Sequence, residues 1–165
     1  MTRFPNTTEN GDATLYSLVL PPDLRSPATA RRWAAESLDR SLHRIPGETM
    51  DDVVLAVSEL VTNATLHAVG PGCTLHVLVL PPDRIKVIVA DTDTLHRAVP
   101  RVATGTDEDG RGLKIVARLA GCWGTFHDAV GKETWAQFFF TPEDPAPVAS
   151  APRQRPHLAP AAISR

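Results

Sequence analysis

Glu59, Asn63 and His67 recur at steps of four residues, so on a helix a carboxylate, an amide and an imidazole share one stripe. From spacing alone the commoner meaning of such a stripe is a solvated face, because Val57, Leu60, Val61 and Ala64 form an apolar side on the same helix. A second signal stands downstream, where Asp109-Gly110-Arg111-Gly112-Leu113 runs directly into helix-forming sequence. Glycines at a helix entry let backbone N–H groups approach a phosphate, and the helix dipole favours the anion. A lone Gly-x-Gly also fits a flexible loop with a helix start. Asp91 closes a β run and is either a turn residue or an acceptor for an amino group such as that of adenine.

Other chemistries find less support. The segment from Gly124 to Lys132 is no phosphate-binding loop of the Gly-x-x-x-x-Gly-Lys type, since Phe126 stands where glycine is needed and Glu133 where the metal-binding hydroxyl should be. Cys73 with His76, and Cys122 with His127, do not repeat zinc-ligand spacing. Two cysteines build no disulfide framework, which suits a reducing compartment. The formal charge of −2 lacks the basic excess that binding a nucleic-acid backbone calls for. The first twelve residues are polar where a signal peptide needs an apolar run. The most hydrophobic stretches, such as Leu75 to Leu80, fall far short of the ~20 apolar residues that span a bilayer. A cytoplasmic protein with no membrane segment and no direct nucleic-acid contact is expected.

The elements that must position these residues follow from pattern. A strand is predicted over Ala13 to Leu20, stopped by Pro21-Pro22. Ser26 reads as an N-cap before Pro27, opening a helix on which Trp33, Ala34, Leu38 and Leu42 recur up to Ile45 and the stop Pro46-Gly47. A second helix is predicted from Thr49 to Ala68, before Gly70, Pro71 and Gly72. The runs Cys73 to Leu80 and Ile85 to Ala90 form an antiparallel hairpin, with Val77, Val79, Val87 and Val89 on one side. Between Asp91 and Asp109 lies a long connection of the kind that usually serves function. A short helix, Gly112 to Ala120, precedes strands at Cys122 to His127 and Thr134 to Phe140, with a turn at Ala129, Val130 and Gly131. This order predicts an α/β two-layer sandwich, a mixed, mostly antiparallel sheet with helices on one face.

The motifs, taken in order, are Glu59-Leu60-Val61-Thr62-Asn63-Ala64 with His67-Ala68, Asp91, Gly110-Arg111-Gly112-Leu113 with Ile115-Val116, and Trp123-Gly124 with Gly131-Lys132-x-x-Trp135. Together they resemble the bacterial anti-sigma-factor serine kinases of the histidine kinase-like (GHKL) ATPases, over about Ala13 to Phe140. The resemblance implies the Bergerat ATP-binding fold, with ATP and Mg²⁺ as cofactors. It makes Glu59 the catalytic carboxylate and Asn63 the amide that holds Mg²⁺ against the triphosphate. Asp91 becomes the adenine-recognising aspartate, and Gly110, Arg111, Gly112 and Leu113 the second glycine box, where backbone amides meet phosphate. His67 matches a common position without an assignable role, while Trp123 and Trp135 read as core aromatics on strands. Where the superfamily has glycine two residues after its aspartate, this chain has Asp93, a side chain that crowds the nucleotide and adds negative charge.

Two functions are therefore carried forward. One is an ATP-dependent serine kinase that sequesters a sigma factor and phosphorylates an anti-sigma antagonist. The other is a binding module of the same fold, catalytically weak or inactive, for which Asp93 speaks. An ATPase that drives a conformational clamp would need a transducer domain besides. The family commonly forms dimers, although no apolar stripe in the sequence independently demands a homodimer. The predicted organisation is a flexible segment 1–12, the ATPase domain 13–141, and a disordered tail 142–165. That tail holds six of the 15 prolines, from Pro142 to Pro160, and too little apolar surface to offset ordering entropy. With three Arg against Glu143 and Asp144 in the tail, the remainder is acidic. A polyanion must then be attracted locally, by a helix terminus, Mg²⁺, and Arg111 or Lys132. Truncation after Thr141 is expected to leave the melting temperature and nucleotide binding unchanged; a large drop in melting temperature would show that the tail docks.

Overall fold

The computed structural model describes residues 13–41, 43–67, 70–92, 111–129 and 131–142. Its elements run β1 (Thr14–Leu20), α1 (Ser26–Asp39), α2 (Gly47–His67), β2 (Cys73–Leu80), β3 (Arg84–Asp91), α3 (Arg111–Leu119), β4 (Cys122–His127) and β5 (Lys132–Phe139). The strands form one sheet in the order β1-β2-β3-β5-β4, and every pairing in it is antiparallel. The expected α/β sandwich is what forms. No helix among the described residues is long and apolar enough to cross a membrane.

Alternation along the strands sorts the two faces of the sheet. Leu75, Val77 and Val79 of β2, Ile85, Val87 and Val89 of β3, and Ala136 and Phe138 of β5 lie fully buried on the inner face. The register sets Val77 against Val87 and Val87 against Ala136, so the predicted valine side is continuous across three strands. Onto it α2 lays Val53, Ala56, Val57, Leu60, Val61 and Ala64, all buried, at the spacing of one helical stripe. Burying a leucine such as Leu60 completely contributes about 1.5–3 kcal/mol. Thr62 and Thr65 tolerate the helix interior by donating their hydroxyls to the carbonyls of Ser58 and Val61, one turn back.

Three helix boundaries depart from expectation, and β5 starts at Lys132 rather than Thr134. Ser26 is not an N-cap: the residue before α1, Arg25, is itself in helical conformation and no side chain caps the helix. The Ser26 hydroxyl instead donates to the Pro21 carbonyl at 2.7 Å, while the Asp23 carboxylate takes the Arg25 backbone N–H at 2.7 Å. The first helix stops at Asp39 rather than Ile45, closed by the Ser41 N–H on the Leu38 carbonyl. Pro46-Gly47 starts α2 rather than stopping α1, with the Pro46 carbonyl accepting from the Met50 N–H at 3.0 Å. Ile45 still packs against the core, from the connection between the helices.

The outer face carries the other residues of each strand, among them Ser17, His76, Ile88 and Trp135 in one register row. The Ser17 hydroxyl and His76 Nδ1 are 2.8 Å apart. Burial lowers the His76 pKa from its usual value near 6.5, and the Glu133 charge only partly offsets that. An unfolded chain then binds a proton at His76 that the folded one resists, so stability is present above about pH 6.5 and is lost as the pH falls through the folded value. Unfolding followed from pH 7.5 down to 5 is expected to show this loss in the wild type and a flatter slope in His76→Gln.

Candidate functional site

α2 presents Glu59 and Asn63, both half-buried, beside its fully buried apolar stripe. The rise of a helix separates the two along the axis by ~6 Å. Ser58 next to Glu59 is buried, and its hydroxyl accepts from Arg31 Nη1 at 2.7 Å, which ties α1 to the turn of α2 that carries Glu59. Against that turn packs the start of α3. A Cβ on Gly112 would stand 2.7 Å from Glu59 Oε2, so the glycine is what lets the carboxylate lie on the first helical turn. α3 has no acidic residue of its own in that turn, so among the described residues it is Glu59 that brings negative charge to the positive end of the helix dipole.

The other end of the site is built by the sheet. The C-terminal end of α2 leads through the Gly70 connection to β2, whose first residue, Cys73, pairs in register with Asp91, the last of β3. Gly70 lies close to Thr92, the residue that follows Asp91. Among the described residues Asp91 is the only charged one that is buried. Its partner is Lys132, opposite it in register on β5, with Nζ 3.3 Å from Oδ2. The two side chains keep 2% and 15% of their surface exposed, lysine the more. Gly131 permits this approach, because a Cβ there would run into the Asp91 carbonyl. Burial and then the Asp91 charge push the Cys73 thiol up to about 11, which keeps it protonated and unreactive at neutral pH.

Of the residues expected to do chemistry, α2 holds Glu59 and Asn63 on one stripe, and α3 brings Gly112 onto Glu59. Asp91 sits at the β3 terminus, on the end of the sheet that α2 approaches through its C-terminus. Arg111 is the exposed first residue of α3, while Leu113 packs on the core. Gly110, Asp109 and Asp93 lie outside the described residues, as does the His67 side chain. Neither Trp123 nor Trp135 is a core residue. Trp123 is 39% exposed on the edge strand β4. Trp135 lies half-buried on the outer face, paired with Gly124 and covered by the Lys86 ammonium 4.9 Å from its ring centre. Cys122 is exposed as well.

One residue at the site, Arg31, and the partner of another, Lys132, escaped sequence reasoning. Arg31 gave no signal, because an arginine on a helix is ordinary. Lys132 did give one: stepping back by two from Phe138 through Ala136 and Thr134 puts it on the inner face, where an ammonium needs a carboxylate. Lys132 had been expected as a local attractant for a polyanion, and the structure pairs it with Asp91 instead. Gly112→Ala should keep stability within about 1 kcal/mol of wild type, since alanine favours the helix and the atom displaced is the mobile tip of Glu59. The displaced carboxylate should nonetheless slow any reaction that needs it, with melting temperature and turnover measured side by side as the check.

A family model described as the histidine kinase-like ATPase domain matches residues 20–138. A search of curated proteins finds no sequence match. Among solved structures, the crystal structure of the RsbU and RsbW domains of Rv1364c from Mycobacterium tuberculosis superposes with a TM-score of 0.60 at 18% identity. The likeness covers 81% of the present chain and 34% of that one, and at this identity it speaks for the fold alone. Membership of an ATPase domain family implies ATP as ligand, and an amide oxygen such as that of Asn63 and the N–H groups at the start of a helix are of the kind that suits a metal-bound triphosphate. With the family match running from the end of β1 nearly to the end of β5, this chain belongs to the histidine kinase-like ATPase domain family.

Proposed function

We propose that this protein is an ATP- and Mg²⁺-dependent serine kinase that phosphorylates an anti-sigma antagonist and sequesters a sigma factor in the cytoplasm. The observation that carries the reading is the contact of Glu59 with the first turn of α3, one helical turn from Asn63. On this reading Glu59 is the base, Asn63 the amide ligand and the start of α3 the helix end that attracts the anion. Likeness to a structure titled as containing an RsbW domain, and the motif order in the sequence, support the anti-sigma branch of the family.

When bound, ATP supplies the phosphoryl group and Mg²⁺ the charge that offsets its oxygens. Glu59 takes the proton of the incoming serine hydroxyl on a carboxylate oxygen. Asn63 offers its amide oxygen to the metal. The N–H groups at the start of α3, with Gly110, Arg111, Gly112 and Leu113, hold phosphate oxygens, and Asp91 accepts from the adenine amino group. Phosphoryl transfer asks for little more than such positioning and charge stabilisation. The fold of this reading spans residues 13–141, with 1–12 and 142–165 as appendages.

A second reading, a binding module with weak or no catalysis, draws on two features. Asp93 stands where family members have glycine, and the Asp91 carboxylate is already paired with Lys132.

Equilibrium binding and a transfer assay separate the two. Asn63→Ala is expected to abolish the Mg²⁺ dependence of ATP binding. Glu59→Ala should keep ATP binding and reduce phosphoserine formation on an added antagonist by 10²-fold or more, on the order of what a general base contributes. Absence of ATP binding at millimolar nucleotide would leave only the binding module.

A further inference from the structure

We infer that Lys132 sets the nucleotide selectivity of this site by competing with the purine amino group for Asp91, an inference that rests on the ATP-binding reading. The pair belongs to the fold rather than to a mobile surface. Asp91 and Lys132 are register partners on adjacent strands, the carboxylate is almost wholly covered, and Nζ lies 3.3 Å from Oδ2. Gly131 adjoins the Asp91 carbonyl so closely that no side chain fits there, which brings the lysine stem to the inner face beside its partner.

A carboxylate accepts and cannot donate, and here its donor is an ammonium. The exocyclic amino group of a 6-aminopurine is also a donor, but a neutral one. A hydrogen bond between two charges is roughly twice as strong as one between neutral groups, and partial burial strengthens it further by excluding water. For the base to use Asp91 fully, Lys132 must give way. Its long stem and partial exposure permit this. The gain from the amino group is thereby largely cancelled by the ion pair it displaces. Selectivity between a 6-aminopurine and a 6-oxopurine, which brings no amino donor, is therefore shallow in this chain, and the triphosphate end of the site carries most of the affinity.

Binding of Mg·ATP and Mg·ITP to the full-length protein by titration calorimetry tests this, in wild type, Lys132→Met and Lys132→Gln. Glutamine keeps an uncharged N–H donor near Asp91, so that at least one variant retains the fold, which melting curves verify. Both folded variants should bind ATP roughly tenfold more tightly, the scale of one charge-assisted hydrogen bond, with ITP affinity unchanged and the ATP-over-ITP preference widened by the same factor. Equal shifts for ATP and ITP, or weaker ATP binding in the folded variants, would overturn the inference and make Lys132 a phosphate or base contact. A wild type that already prefers ATP strongly, with no change in the variants, would overturn it and leave ATP binding standing. Failure of all three proteins to bind either nucleotide would overturn the ATP-binding reading and this inference together.

Discussion

The packing of α2 onto the inner face of the sheet is the constraint from which the rest of the structure follows. Val53, Ala56, Val57, Leu60, Val61 and Ala64 leave water together with Leu75, Val77, Val87 and Val89, and this non-directional burial is the largest favourable contribution to the fold. It also fixes the rotation of α2. Once the apolar stripe faces the strands, Glu59 and Asn63 fall at its margin, half in water, and α3 meets the first of them. A polar stripe in solution would be free; here it is held against a second helix.

Charge is handled differently at the two ends of the site. At the α2–α3 end, a carboxylate lies beside a helix start that carries no acidic residue, so favourable electrostatics come from backbone dipoles that are fixed in advance. At the sheet end, a buried carboxylate meets a lysine from the neighbouring strand. Burying one charge alone costs several kcal/mol, and pairing offsets the cost without turning it into a large net gain. In the proposed function, a ligand entering the first end finds partners pre-set, and at the second it meets a contact already made. A mildly acidic chain can attract a polyanion under these conditions because the attraction is local.

Much of this was legible in the sequence because the signals were periodic. Alternation placed Val77, Val79, Val87 and Val89 on one face, and steps of three and four placed Leu60 and Val61 inward; these are consequences of backbone geometry that any sheet or helix must obey. The strand ends Leu20, Leu80 and His127 were also legible, since Pro21, Pro81 and the turn at Ala129 interrupt the pattern. Helix ends were less so. Ser26 has the residue type of a cap, yet its hydroxyl found the Pro21 carbonyl, a choice made by where the β1 terminus lies in space. Trp123 and Trp135 have the composition of core residues, but one stands on an edge strand and the other on the outer face.

The sequence by itself determined the family, the element order and which residues carry chemical groups, because residue type and spacing are local properties that survive without a partner. Tertiary structure alone decided who meets whom. Gly112 against Glu59, Arg31 on Ser58, and Lys132 on Asp91 join residues 53, 27 and 41 positions apart. No local pattern encodes such pairs: they exist only when the sheet register and the burial of α2 bring distant segments within hydrogen-bonding range.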